Sequence, residues 1–502
     1  MPLQLTLPTE LWITIIDCVN DSTTLLVLSQ TSRTLHTISL EAFFEVMNFD
    51  WKAPDFVLKS HLPGRNREVL RGLCCSLETV GRSLEEIVYD CGETGYSRAV
   101  IDELRLFSSL FLRISSVNRV TLRICSPPSM HIHELHEPTI DVLISVIQAK
   151  CRNIHVTTTQ LAASHKASVL TPQSTLNNTI SRPSVWLKGI LKREARQTEE
   201  IHLERCSIQT FPHFLRPFYL STLQAHSNIL TSLEFKNIFG GEPDFSTLLS
   251  LLYLPHLNHF SIKYASILRL PLLKFFSAHS HIDSLEYHHI RYQSNTTPSR
   301  QDLTWRSDVT QNKSYHHLMY ESLRKLHTSP EQLVHFFPVV TQMPLLHDVI
   351  IGVESHENSD QFTVLDKALD VLSHCVNPIK LHLRVYTAGL GLTLWLGAPR
   401  MVERSNRPEL KMRAVETLVL DNGAWELNED FYRHLIPWVG MFPAVKELTL
   451  QRNPKTPSLT RRVATEEDSP LSGTFAARLK VHCPTLKSVT ILSSFEWTHR
   501  YD

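Results

Sequence analysis

One short phrase recurs through most of the chain: aliphatic, two variable residues, aliphatic, one variable residue, aliphatic. It reads Leu84-x-x-Ile87-x-Tyr89, Val117-x-x-Val120-x-Leu122, Ile201-x-Leu203, Leu230-x-x-Leu233-x-Phe235 and Leu257-x-x-Phe260-x-Ile262. It continues as Ile282-x-x-Leu285-x-Tyr287, Leu346-x-x-Val349-x-Ile351, Leu381-x-Leu383, Val415-x-x-Leu418-x-Leu420, Val445-x-x-Leu448-x-Leu450 and Leu486-x-x-Val489-x-Ile491, with weaker copies near Ile154 and Leu323. Alternation with period two makes each copy a short strand with one buried face. Helical patterns separate the copies over residues 139–151, 185–194, 245–254, 271–279, 331–341, 364–374, 429–442 and 475–482. A parallel neighbour requires a long crossover, and helices supply it. Pro255, Pro344, Pro443 and Pro484 stand just before strands, where proline stops the preceding helix.

Strand phrase, helix and corner together resemble a leucine-rich repeat, with Cys125, Cys206 and Asn453 at the position where that repeat places Asn or Cys. Repeat spacing is irregular against the usual 20–29 residues or so. The implied fold is α/β: a degenerate solenoid over residues 83–502, parallel strands on the concave side and helices on the convex side. Polar stretches near 157–184, 294–314 and 453–472 read as inserted loops, because their low apolar content cannot offset ordering entropy.

The first 46 residues break this pattern. Pro8 suits a helix start, apolar positions 11, 12, 15, 16 and 19 form a helical stripe, Asp21 and Ser22 offer caps to a second helix near Thr23, and a third helix begins near Thr34. Three helices this short are marginal alone, and their surplus apolar surface suggests a partner. Leu7, Pro8, Glu10, Leu11, Ile15, Ile16, Leu25, Leu26, Leu28, Ser32 and Arg33 match the pattern of an F-box, so residues 1–46 closely resemble that family. Leu35 stands where the family often has an aromatic, and Thr31 where it has valine. The resemblance implies docking on a Skp-type adaptor through Leu7, Pro8, Leu11, Ile15, Ile16, Leu25, Leu28, Ser32 and Leu35, and through it on a cullin and a RING subunit. The chain would then be the substrate-recognition subunit of a ubiquitin ligase; a non-degradative scaffold is the alternative. Residues 47–82 read as a linker with a capping helix from about Arg67 to Val80.

Lys plus Arg equals Asp plus Glu at 50 each, so no net field draws nucleic acid or an anionic membrane. Nine scattered cysteines and no secretory leader pattern fit a cytoplasmic or nuclear setting. The 27 histidines invite a metal reading, yet His131-x-His133-x-x-His136 lacks the pairing of two histidines one helical turn apart and is bracketed by prolines as a loop. His288-His289 has no fixed third ligand in sequence. No nucleophile elbow or phosphate loop is present. The expectation is therefore no catalytic residues, no metal and no cofactor. Substrate binding falls to the variable residues beside the inward aliphatics: Glu200, His202, Glu204, Glu234, Lys236, His259, Lys263, Glu286, His288, His382, Arg384, Asp421, Glu447, Thr449 and Gln451.

Overall fold

The computed structural model describes residues 7–58, 65–91, 97–125, 132–159, 203–209, 215–238, 242–267, 269–292, 321–336, 343–355, 360–387, 395–398, 411–422, 429–452, 469–492 and 496–500. The fold is α/β, and the chain forms two compact units, Met1–His256 with Ser266–Leu268, and Leu257–Ala265 with Arg269–Asp502.

In the first unit, β1 (Asp55–Leu58), β2 (Ser83–Cys91), β3 (Ser116–Cys125), β4 (Asn153–Thr159), β5 (Arg205–Gln209) and β6 (Ser232–Ile238) pair in chain order. Every pair is parallel. The crossovers include α5 (Ser97–Phe111) between β2 and β3, α6 (Ile132–Gln148) between β3 and β4, and α7 (Arg216–Ala225) between β5 and β6; α8 (Glu242–Leu251) follows β6. The register aligns the inward positions into two columns, Ile87–Val120–Ile154–Cys206–Leu233 and Tyr89–Leu122–Val156–Ile208–Phe235. All ten side chains are buried. Helices close over them: Phe107 of α5 stacks on Tyr89 at 4.6 Å, and Phe245 of α8 meets Phe235 edge-on at 4.8 Å.

The second unit repeats the plan. It contains β7 (His259–Ile267) as far as Ala265, β8 (Ser284–Tyr292), β9 (Lys325–Thr328), β10 (Asp348–Ser355), β11 (Ile379–Thr387), β12 (Val415–Asn422), β13 (Glu447–Arg452), β14 (Ser488–Leu492) and β15 (Glu496–Arg500). Its helices are α9 (Arg269–Ala278), α10 (Pro330–Phe336), α11 (Asp360–Leu372), α12 (Glu429–Val439) and α13 (Ser469–His482). From β8 to β14 the inward columns are Leu285–Leu326–Val349–Leu381–Leu418–Leu448–Val489 and Tyr287–Thr328–Ile351–Leu383–Leu420–Leu450–Ile491. Pro255, Pro344, Pro443 and Pro484 each sit in a turn just before a strand, as the missing N–H and fixed φ require. Among the described residues no helix is long and apolar enough to cross a membrane.

Several expectations change. The copy on β5 is Leu203-x-x-Cys206-x-Ile208, not Ile201-x-Leu203: all three residues are buried, and Cys206 lies in the inward column rather than in the turn after the strand. The sequence 132–138, expected as a loop, begins α6, which carries Pro138 inside it. Helices α5 and α7 had no counterpart in the periodicity reading. The stretch 47–82 holds strand β1 as well as α4 (Arg65–Cys75), so it belongs to the sheet rather than serving as a bare linker. The polar stretch 453–472 ends in α13, and 157–184 opens with the last residues of β4; the rest of both, the stretch 294–314 and the helix expected at 185–194 lie outside the described residues. The last pair, β14 with β15, is antiparallel, which a purely parallel solenoid does not anticipate.

At the N-terminus, α1 (Thr9–Asp17), α2 (Ser22–Leu28) and α3 (Arg33–Val46) form a small bundle. Asp21 caps α2 by accepting from Thr24 N at 2.8 Å, and Ser32 caps α3 by accepting from Leu35 N at 3.2 Å. Pro8 stands one residue before α1, its carbonyl accepting from Leu11 N at 3.1 Å. The bundle does not hang free. Phe44 stacks on Trp51 at 5.3 Å, and Arg82 at the start of β2 donates to the carbonyls of Trp51, Lys52 and Ala53. A side chain at Gly72 of α4 would run into the buried Phe43 ring and crowd Phe44, so glycine is what lets α4 lie against α3. Gly72→Val is expected to cost about 1–3 kcal/mol. Chemical denaturation should show a lower midpoint with unchanged slope; an unchanged midpoint would mean that the two helices separate freely.

Candidate functional site

Two surfaces remain once the core is accounted for. The first lies on the N-terminal bundle. Leu11 and Ile15, four residues apart on α1, are 49% and 45% exposed and share one side of the helix; Leu7, 43% exposed, and the exposed Pro8 stand just before its first turn. Ile13 of α1 and Val27 of α2 are exposed as well. Leu28 is half-buried and Ser32 exposed, its hydroxyl occupied as the α3 cap. Ile16, Leu25 and Leu35, expected as contacts, are instead sealed in the bundle's own core with Leu26, Leu40, Phe43 and Phe44. That division follows from helix geometry: successive residues are about 100° apart around the axis, so Ile16 turns into the core while Ile15 stays outside it.

The second surface is the strand face turned away from the helices, built in each unit by alternate residues. In the first unit those residues satisfy one another across strands. Arg123 pairs with Asp90 at 3.4 Å and Arg119 with Glu86 at 3.5 Å. The Ser207 hydroxyl donates to Glu234 Oε2 at 2.9 Å and lies 2.9 Å from His155 Nδ1; Thr157 donates to Gln209 at 3.1 Å. The corrected register puts Arg205, Ser207 and Gln209 on this face. Glu204 is exposed in the turn before β5, and Glu200 and His202 lie outside the described residues. Glu234 and Lys236 keep the positions expected for them on β6.

In the second unit the face carries two polar groups. On β7 to β9, Glu286 is the hub: Lys263 Nζ lies 2.6 Å from Oε2, the Ser261 hydroxyl donates to Oε2 at 3.0 Å, and His327 Nδ1 and His288 Nε2 approach Oε1 at 2.5 and 3.4 Å. Burial pushes this carboxyl up, but the donors from His288, His327 and Lys263 overcome it and hold the group far below the usual carboxylate range. His259 Nδ1 lies 2.9 Å from the Ser284 hydroxyl at the start of β8. The second group lies on β11 and β12. Arg384 and Asp421 are register partners, and His382 Nε2 lies 3.9 Å from Asp421 Oδ2. Burial lowers the His382 pKa to about 4, helped by the charges of Arg384, Lys380 and His327, and burial raises Asp421. Each partner is thus drawn toward its neutral form, so the pair is no ion pair. Asp421 is 7% exposed, and its Oδ1, His382 Nε2 and Arg384 Nε have no hydrogen-bond partner among the described residues. Gly352 of β10 pairs with Arg384, leaving a gap in this row of side chains next to His327. Glu447, Thr449 and Gln451 continue the face on β13, Thr417 donating to Glu447 at 3.5 Å.

Two structural kinds recur among the histidines. His155, His259, His288, His327 and His382 stand on the open strand face, whereas His226, His279 and His374 follow helices and set Nδ1 against the carbonyl four residues back, at 2.8, 2.6 and 2.9 Å. His327 was missed by sequence reasoning because its strand copy, Leu323-x-x-Leu326-x-Thr328, ends on a threonine, which the structure buries fully in the aliphatic column; the weaker copy near Leu323 was the available signal. No protein-family model matches this chain, and no curated protein matches it.

Proposed function

We propose that this chain is the substrate-recognition subunit of a Skp, cullin and F-box ubiquitin ligase, present in cytoplasm or nucleus, in which the N-terminal bundle docks on the Skp-type adaptor and an open strand face holds a protein substrate. The observation that carries the reading is the exposed pair Leu11 and Ile15 on one side of α1, with Leu7 exposed just before the helix: a bundle with a filled core still presents this short aliphatic row to solvent. Such a row costs solubility unless another polypeptide covers it. The sequence around it resembles an F-box, and the charge of that region fits an apolar interface, with one Arg and no Lys against six carboxylates in residues 1–50. The two-signed strand faces suit a folded protein or a peptide over a nucleic acid.

The test is binding of a purified Skp-type adaptor to the full chain. Leu11→Asp with Ile15→Asp is expected to weaken binding by at least about 100-fold, because a charge in an apolar interface core must be desolvated without a partner. Circular dichroism should stay unchanged, since both positions are half exposed. Wild-type affinity in the double variant would refute the docking surface.

A further inference from the structure

The cluster around Glu286 has a geometry that an ionic hub alone does not need. Glu286 and His288 are two apart on β8 and so point to the same side of the sheet, and Glu286 faces His327 of β9 directly in register. One carboxylate oxygen is fully occupied: Oε2 is held by Lys263 and Ser261 from β7. The other, Oε1, is turned toward two imidazole nitrogens from two different strands. Glu286, His288 and His327 each offer one ligand atom, all within 4.8 Å of one another, and the side chains are less than one fifth exposed. The imidazole rings lie 4.6 Å apart at a tilt of 36°. Tyr264 approaches the His288 ring edge-on at 6.0 Å, from a left-handed backbone conformation with φ of 51° that a tyrosine rarely adopts.

We propose that Glu286 Oε1, His288 Nε2 and His327 Nδ1 form a binding site for a divalent transition metal, zinc best matching the donor set, which goes beyond the adaptor role above. Two neutral imidazoles and one carboxylate oxygen are a standard zinc set of three protein ligands with a fourth position left open. With metal–ligand distances of about 2.0–2.1 Å, ligand atoms in a tetrahedron stand about 3.3 Å apart. The Oε1 to His288 separation of 3.4 Å already has that value, the 2.5 Å contact to His327 must open, and all three ligand atoms lie within 4.8 Å of one another. Lys263 and Ser261 take the place of the outer partners that orient a ligating carboxylate, and they restrict Glu286 to one-oxygen coordination.

The full chain, stripped with a chelator and dialysed, would be titrated with Co²⁺ and with Zn²⁺ alone. One equivalent of Co²⁺ should bind with the intense ligand-field absorption of a four-coordinate site, and one equivalent of Zn²⁺ should displace it. Glu286→Gln, which keeps size and shape, and His327→Ala should each lower affinity by at least about 100-fold, whereas His382→Ala, outside the cluster, should not. Circular dichroism checks the fold of each variant; should His327→Ala unfold, Glu286→Gln and His288→Gln decide alone. Failure of wild type to bind either ion at micromolar concentration, or binding that survives Glu286→Gln and His288→Gln together, would overturn the site. Adaptor affinity measured on the same variants is expected to stay at the wild-type value, so the two proposals fail separately.

Discussion

Leu25→Arg should open the N-terminal bundle, at a cost of at least about 4 kcal/mol. Leu25 is completely enclosed, on a seven-residue helix whose other core contacts come from Leu26 and the half-buried Leu28. An arginine there has two options. It either buries an unpaired guanidinium or swings α2 outward so that the head reaches water, and both surrender the packing of Ile16, Leu35 and Phe43. Hydrogen exchange should show loss of protection over residues 9–46, with the strand columns from β2 onward still protected. The loss of adaptor binding in such a variant would report unfolding, not contact. Ile15→Asp, one residue from a core position yet itself exposed, separates the two effects and is expected to change stability by less than about 1 kcal/mol. Full protection of residues 9–46 in Leu25→Arg would show that the bundle core is not the one described.

The second large effect is acid sensitivity beginning well above the carboxylate range. Burial lowers His279, on which Phe275 stacks at 4.1 Å, to a pKa of about 4, and burial with the charges of Arg384, Lys380 and His327 does the same for His382. Unfolded, both titrate near 6.5. Between these values the unfolded chain binds protons that the folded chain refuses, so stability falls as pH falls. From pH 7.5 to pH 5 the pair should withdraw about 4 kcal/mol, and buried His155 and His226, also lowered, act with the same sign. Glu286 adds a further loss below its ordinary value of 4.5, because its donors stabilise the ionised form; Asp421, raised by burial, opposes the trend there. Urea midpoints measured across this range, with His279→Gln to remove one contributor, check the sign and size. Equal midpoints at pH 7.5 and pH 5 would contradict the buried neutral histidines.

What the sequence made legible, and what it hid, follows from which interactions are local. The inward strand positions were readable because burial of every second residue leaves a period-two signature, and the corner prolines were readable because their effect is steric and needs no partner. Cys206 was assigned to a turn because a buried thiol and a turn thiol look alike until the neighbouring strand fixes the register. Helix α5 was missed although its sequence carries the signal, Val100, Leu104, Phe107 and Phe111 recurring at helical spacing along its buried side. The stripe on α1 was visible as a helical pattern, but which half of it is core depended on how α3 packs. The Glu286 cluster was out of reach. Glu286 and His288 were marked as face residues, yet their third partner is 39 positions away and reaches them only through the β8 to β9 register.

The two-column architecture has a consequence for change over time. Three enclosed positions per strand decide whether a repeat closes, while the alternating positions form cross-strand bonds worth only about 0.2–1 kcal/mol each. A mutation on the outward row is therefore nearly silent for folding yet fully visible to whatever touches that row. Such a molecule can exchange one ligand for another by drift, without passing through an unstable ancestor, and paralogues with the same enclosed columns could diverge in specificity while sharing a single scaffold.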